Sequence, residues 1–288
     1  MLLILLYIFI GIIAIQLFYY LVVFGKFAFA KAQKITPKRI PISVIVCAKN
    51  EEENVKQYVE SLSFADEIIF IDSYSTDKTV EIAKSFGVTV IQRDFDNFSE
   101  QRNFAISQAK NDWIVFFDLD EIVTPELEAE IISVTTSPSD CVAYYVKRNF
   151  YFLGKHIKYG GWQSDKAIRV FNKSFCQYNG NLVHEMVAAN GTVGFLKERV
   201  NHFSYKNFDN YNNKLNLYSK LQAESLYVKN KRPNVYHFFI RPKYRFFWQY
   251  IYRLGFLDGK EGFILAYVHA FSVFKRYLQL WMMYRKID

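Results

Sequence analysis

Between Ile42 and Phe117 four short apolar runs alternate with three segments of helical period, and this alternation limits the fold more than any other feature. ISVIVCA (Ile42–Ala48) is rich in β-branched residues, EIIFI (Glu67–Ile71) and VTVI (Val88–Ile91) repeat the pattern, and WIVFF (Trp113–Phe117) carries no charged side chain. Apolar runs of this length, bounded by turn residues, are the mark of strands buried on both faces of a sheet. Between them Val55, Tyr58, Val59 and Leu62, then Val80, Ile82 and Ala83, then Phe104, Ala105 and Ala109 recur at helical spacing. Start signals precede these helices: Asn50 before Glu51, Glu52 and Glu53, Ser99 before the third, and Thr124 with Pro125 before a further helix through Leu127 and Ile131. Gly87 supplies a stop. Strand and helix in strict turn predict a mostly parallel sheet with helices on both faces.

The fourth run delivers Asp118, Leu119, Asp120 and Glu121 at its carboxyl end, the edge at which open α/β sheets bind ligands. Two aspartates two residues apart project the same way from an extended backbone. Their hard oxygens suit Mg²⁺ or Mn²⁺ that keeps part of its shell for phosphate. The plain alternative is a solvated acidic loop after a core strand. No GxGxxG follows the first strand and no GxxxxGK[ST] occurs anywhere, so neither the dinucleotide fold nor the P-loop is supported.

Residues 1 to 24 contain no charged side chain and are long enough to cross a bilayer as one helix. A cleaved signal peptide would carry a basic residue ahead of a shorter apolar core. Residues 1–25 are therefore expected to form a transmembrane anchor and 26–40 a basic linker. Lys26, Lys31, Lys34, Lys38 and Arg39 in that linker place everything after it on the cytoplasmic side of the inner membrane. Overall the net charge is +8, but residues 229–288 hold twelve Lys and Arg against three acids while the preceding 228 residues are close to neutral. A basic, aromatic tail suits anionic membrane lipid, and with an anchor at the other end lipid is preferred to nucleic acid. From Phe263 to Phe274 the tail is apolar for too few residues to span, so 229–288 is expected to form interfacial amphipathic helices, with a core hairpin as the alternative. Cys47, Cys141 and Cys176 are widely separated and show no CxxC pairing, which indicates neither a zinc site nor a disulfide framework.

The succession ISVIVCAKNEEENV, IIFIDSYSTDKTVEIA and QRNFAISQAKNDWIVFFDLDE, covering roughly residues 41 to 135, resembles the amino-terminal half of family 2 glycosyltransferases. These are inverting enzymes of the GT-A fold that use nucleotide-sugar donors. The resemblance implies a donor pocket in which Ala48, Asn50 and Glu52 lie beside base and ribose, Asp72 contacts a uracil-type base, and Asp118 and Asp120 hold the metal on the diphosphate. Arg102 and Asn103 stand where the family has a basic and amide pair. A UDP-sugar is the first expectation among nucleotide-diphosphate sugars. After Ser139, the order of Gly160-Gly161-Trp162, RVF, VHE and NHFSY resembles the branch that adds glucose to lipopolysaccharide inner core, as does the LDG turn of the tail.

On that basis 41–228 is expected to be the GT-A domain, with 41–135 as its nucleotide-sugar half and 136–228 as its acceptor half. The expected activity is transfer of a hexose, glucose first among them, to a lipid-linked saccharide. Two rivals are a polyprenyl-phosphate sugar synthase and an inactive membrane scaffold. Inverting transfer needs a carboxylate base outside the metal site. Glu185, after the apolar Leu182-Val183 and beside His184, is the first choice and Asp165, after Gly160-Gly161-Trp162, is its competitor.

Overall fold

A computed structural model describes residues 1–28, 39–137, 139–179, 186–205 and 207–287. The chain divides into two units, Met1–Lys38 and Arg39–Asp288. The first contains α1 (Leu2–Ala28), whose stretch Leu2–Val22 is long and apolar enough to cross a membrane and is exposed at every residue.

In the second unit, β1 (Ile42–Ala48), β2 (Glu67–Asp72), β3 (Thr89–Gln92) and β4 (Trp113–Phe116) are parallel, as the alternation predicts. Four helices connect or follow them: α2 (Glu52–Glu60), α3 (Thr79–Ser85), α4 (Phe98–Gln108) and α5 (Pro125–Thr136). Antiparallel strands added to this parallel half make the whole sheet mixed. After the two-residue β5 (Glu121–Ile122) come β6 (Cys141–Phe152), β7 (Lys155–Ile157), β8 (Lys166–Asn172) and β11 (Thr192–Tyr205), and the order is β3-β2-β1-β4-β8-β6-β11-β5 with β7 on β6. β8 runs antiparallel to both β4 and β6. The reason lies in the connections, because only a crossover of a dozen or more residues returns a strand in parallel, and β6, β7 and β8 are joined by short turns. A separate ribbon pairs β9 (Cys176–Tyr178) with β10 (Val187–Ala189).

Residues alternate between two apolar layers, Val44, Val46, Phe70, Val115 and Phe117 on one face and Ile45, Ile69, Ile71, Ile114 and Phe116 on the other. All ten are buried, which is why these strands carry no polar alternation. The helix starts differ in detail from the sequence expectation. Asn50 adopts a left-handed φ of 54° and its Oδ1 accepts from Thr76 N at 2.8 Å, so it bridges to the next loop instead of capping α2. Asparagine tolerates that conformation because its short amide bonds locally. Asn97, not Ser99, caps α4 by accepting from Glu100 N at 2.9 Å, while Ser99 is buried. Thr124 caps α5 as expected, with Pro125 as the first helical residue.

After β11 comes α6 (Phe208–Val228), and the tail then forms a π-helical turn (Tyr236–Ile240), α7 (Arg241–Phe247), a second π-helical turn (Trp248–Tyr252) and α8 (Gly259–Arg285). Leu265, Val273, Tyr277 and Leu280 of α8 pack with Tyr211, Leu215 and Ala223 of α6. Entry to α8 depends on Gly262, where a Cβ would stand 1.9 Å from the Gly255 carbonyl oxygen. One side of the tail is thus packed in the manner of a core hairpin. On the other, Phe239, Phe247, Tyr267 and Phe271 are exposed.

Candidate active site

Leaving β4, the chain buries Phe117, whose carbonyl accepts from Tyr58 Oη at 3.0 Å, and then turns at once. Glu121 N donates to Asp118 O at 2.8 Å and Glu121 Oε2 accepts from Asp118 N at 3.0 Å, closing Asp118–Glu121 into a turn instead of an extended segment. The Glu121 side chain is fully buried, with Arg169 Nη2 2.8 Å from Oε2 and Arg148 Nε bonded to Oε1. A buried carboxylate persists only when its charge is paired and its lone pairs are filled, and here two arginines and one amide do both. Glu121 therefore fixes the shape of the turn.

Because the segment turns, the two aspartates meet different neighbours. Asp118 bonds to Arg169 and lies 3.9 Å from Arg102 Nη2. It opens on a cleft of ≈ 520 Å³ lined also by Tyr145, Arg148, Lys166 and Tyr178. Burial alone would raise the Asp118 carboxyl, but Arg169, Arg102 and Arg148 outweigh it and hold the group well below the usual carboxylate range. The side chain remains 41% exposed, so that strongly held negative charge faces the cleft. Arg102 is steered there by aromatic rings, its guanidinium carbon 5.4 Å from the Phe116 centroid and 5.1 Å from that of Tyr178. Asn103 beside it spends its amide on β9, accepting from Tyr178 N at 2.8 Å and donating to Tyr178 O at 3.1 Å. In this arrangement Asn103 seats the tyrosine against which Arg102 leans. Burial pushes the nearby Cys47 thiol up to about 12, which leaves it inert as a nucleophile.

Asp120 faces the other way. Its Oδ2 is 3.3 Å from His202 Nε2, and it lines a second cavity of ≈ 350 Å³ with Asn54, Gln57, Tyr151, Phe203 and Tyr205. Imidazole nitrogen and carboxylate oxygen side by side suit a borderline ion such as Mn²⁺ better than Mg²⁺, which takes oxygen ligands. Among the described residues no three His, Cys, Asp or Glu gather closely enough to hold a metal unaided. A cation here would complete its shell with substrate oxygens, which is the use Mg²⁺-type ions are put to at phosphate sites. His202 was missed from sequence, since a histidine eighty residues downstream has no spacing that ties it to Asp120.

At the nucleotide end, Ala48 and Asp72 are register partners at the carboxyl ends of β1 and β2. Asp72 is buried and accepts from Ser75 N at 3.0 Å, from Ser75 Oγ at 2.5 Å and from Gln92 Nε2 at 3.1 Å. Asn50 holds Thr76 N as noted, and Glu52 Oε2 accepts from Lys78 N at 2.9 Å. These four predicted residues thus converge on the loop Ser73–Thr79. Chain order passes from β1 to β2 and β3 on one side and to β4 on the other, so the crevice above β1 and β4 is the topological switch point where α/β sheets bind ligands. The Asp72 loop and Asp118 flank it.

Of the two base candidates, Asp165 follows the 3₁₀ turn Trp162–Ser164 with Oδ2 2.8 Å from Arg148 Nη1, and is thereby linked through Arg148 to Glu121. Glu185, with His184, lies outside the described residues; the chain resumes at Met186, which lines the cleft of Asp118.

A profile of glycosyl transferase family 2 matches residues 43–184. An uncharacterized glycosyltransferase of Rickettsia bellii is 31% identical over 251 residues, which span 83% of this chain and 85% of that protein. The lipopolysaccharide core biosynthesis glycosyltransferase LpsC of Rhizobium meliloti is 24% identical over 253 residues, 83% of this chain and 94% of LpsC. Among solved structures, glucosyl-3-phosphoglycerate synthase from Mycobacterium tuberculosis, in complex with Mn²⁺, uridine diphosphate and phosphoglyceric acid, is 26% identical where it superposes, over 38% of this chain and 43% of its own, with a TM-score of 0.33. At that score the ligands of that protein do not speak for this one.

Proposed function

The chain belongs to family 2 of the glycosyltransferases, and from that premise we propose that it is an inverting, metal-dependent hexosyltransferase acting at the inner membrane. It takes glucose, or a close relative of it, from a UDP-sugar and adds it to a lipid-linked saccharide of the lipopolysaccharide inner-core kind, a reading supported by the likeness to LpsC, which is named a lipopolysaccharide core biosynthesis glycosyltransferase. The observation that carries the reading is the cleft beside Asp118, lined by Arg102, Arg148, Lys166 and Arg169. Asp118, Glu121 and Asp165 pair with Arg148 and Arg169, and the small positive excess that Arg102 and Lys166 leave is suited to a sugar diphosphate.

In this reading Arg102 and Lys166 receive the diphosphate while Arg169 holds Asp118 in place. Asp120 and His202 would hold the cation, which would supply neutralisation of charge on the leaving diphosphate, while Asp118, turned to the other cavity, stays paired with Arg169. Glu185 is the proposed base and Asp165, positioned by its pairing with Arg148, is the alternative. The base takes the acceptor hydroxyl proton as the new glycosidic bond forms and the bond to the diphosphate breaks on the opposite face of the sugar. Asp72, Asn50 and Glu52 frame the base and ribose from the Ser73–Thr79 loop.

Attachment to the membrane is assigned to residues 1–25 as a span, with the catalytic unit on the cytoplasmic side and 229–288 resting on lipid. Support comes from the exposed aromatic face of the tail, which includes a groove of ≈ 700 Å³ between Phe246, Phe247, Phe263 and Phe271.

The test is a panel of nucleotide sugars offered to the purified protein with Mn²⁺, reading melting temperature and transfer. One donor is expected to raise the transition in a saturable way. Excess EDTA, Asp120→Asn and His202→Ala should each remove the rise. A donor response unchanged in EDTA refutes the metal, and no response or hydrolysis with any donor returns the scaffold reading.

A further inference from the structure

Away from the catalytic cleft, α6, α7 and α8 enclose a cavity of ≈ 380 Å³ whose lining includes Arg241, Arg245 and Arg276 and no carboxylate. Arg241 and Arg245 stand one turn apart on the same face of α7. Arg276 faces them from α8, four residues beyond Ser272 and seven beyond His269. What these guanidiniums touch is neutral. Arg241 Nη1 donates to Tyr277 Oη at 2.5 Å, Arg245 Nη2 lies 3.2 Å from His269 Nδ1, and Arg276 Nε is buried with no hydrogen-bond partner among the described residues.

The contrast with the cleft is plain, since there Arg148 and Arg169 each have an acid within bonding distance. Two partly buried cations, Arg245 and Arg276, beside the exposed Arg241 and with no carboxylate among the described residues that line the cavity, repel one another and lose hydration, and a fold keeps such a cluster at a cost unless an anion joins it. Burial and the neighbouring charges confirm the lack of internal compensation: burial holds Arg245 and Arg276 below the ordinary arginine range, and burial followed by those two arginines pushes His269 down to about 3. The imidazole is therefore neutral and adds no charge of its own. Ser219 and Ser272 spend their hydroxyls on helix carbonyls, donating to Leu215 O and His269 O at 2.7 Å each, so the charged donors of the lining are the guanidiniums.

We propose that this pocket is a phosphate-binding site, in which Arg241, Arg245 and Arg276 receive the phosphate of a lipid headgroup or of a free phosphorylated compound. Planar forked donors match phosphate oxygens, and three of them converge. The setting suits an amphiphile, because the opposite faces of α7 and α8 line the apolar groove of Phe246 and Phe263. The pocket also touches the acceptor side of the molecule: His269 stacks on Trp162 at 5.5 Å, in the turn that ends at Asp165. The site is independent of the transfer reaction and does not rest on it.

The test uses the full chain in detergent, following its thermal transition against inorganic phosphate, dihexanoyl phosphatidic acid and, as an uncharged control, dihexanoylglycerol. Wild type is expected to show a saturable rise with phosphatidic acid, inorganic phosphate or both, and none with dihexanoylglycerol. The double variant Arg245→Gln/Arg276→Gln should weaken that response about tenfold or more in apparent affinity. A rise with phosphatidic acid alone identifies the lipid headgroup as the source, and a rise with inorganic phosphate identifies a site open to free phosphate. Should the double variant fail to fold, Arg276→Gln alone carries the same comparison, and relief of repulsion is expected to raise its transition without ligand. No rise with either phosphate in wild type, or an undiminished rise in the variant, overturns the proposal.

Discussion

Arg169→Met tests whether the arginine cluster holds the turn of Asp118–Glu121 in shape. Arg169 is 4% exposed and joins two acids, bonding to Asp118 and standing 2.8 Å from Glu121 Oε2. Methionine keeps most of the volume and removes the charge, so the loss is electrostatic rather than a cavity. Glu121, fully buried, would keep Arg148 alone. Removing one partner from a buried pair costs about 3–5 kcal/mol, because the remaining charge stays uncompensated. For a unit of this size each kcal/mol shifts the transition by about 2–4 °C, so the expected drop is roughly 6–20 °C by circular dichroism at neutral pH. Arg169→Met combined with Glu121→Gln should recover part of it. Acid dependence gives a second readout. The Asp118 carboxyl is held low in the folded chain, so it contributes stability that is present above its unfolded value of about 3.9 and is lost as pH falls through the folded value. Without Arg169 that depression shrinks, and the fall in transition temperature below about pH 5 should be flatter than in wild type. A drop under about 2 °C together with an unchanged acid slope would mean that the arginine is incidental to the turn.

Two further outcomes concern the base and the membrane. Glu185→Gln is expected to lower turnover by on the order of a hundredfold or more with donor affinity almost untouched, since a base acts only in the transition state. Near-normal turnover in that variant beside an inactive Asp165→Asn would move the role to Asp165. A chain beginning at Pro37 should still sediment with anionic liposomes at low salt and release as ionic strength passes about 0.1 M. If it stays in the supernatant, the aromatic tail serves the core and not lipid.

The parallel half of the sheet was legible because strands buried on both faces must be apolar throughout, and Ile42–Ala48, Glu67–Ile71 and Trp113–Phe117 leave little else for such runs to do. The acid cluster was legible for a related reason: carboxylates directly after a core strand fall at the ligand edge of the sheet, although Glu121 turns back into the core on two arginines. Their partners were not. Arg169 lies in the short run RVF, three consecutive buried residues of β8, and a guanidinium there must meet an acid. Nothing local says which acid, and the answer depends on β8 entering antiparallel between β4 and β6, a pairing set by long-range register. Arg148 and His202 are hidden in the same way, on long strands where charged and aromatic residues look like ordinary alternation. The misplaced caps have a common cause too. Asn50 and Ser99 each sit within two residues of a helix start, and local chemistry allows either to cap. Tertiary demand decided otherwise, since the Ser73–Thr79 loop needed an acceptor for Thr76 N and Asn50 supplied it. The sequence places an acidic turn at the end of β4, but the cations around it come from strands that only the completed sheet brings together. The same holds for Arg241, Arg245 and Arg276, which read as part of a basic tail until α7 and α8 fold them around one cavity.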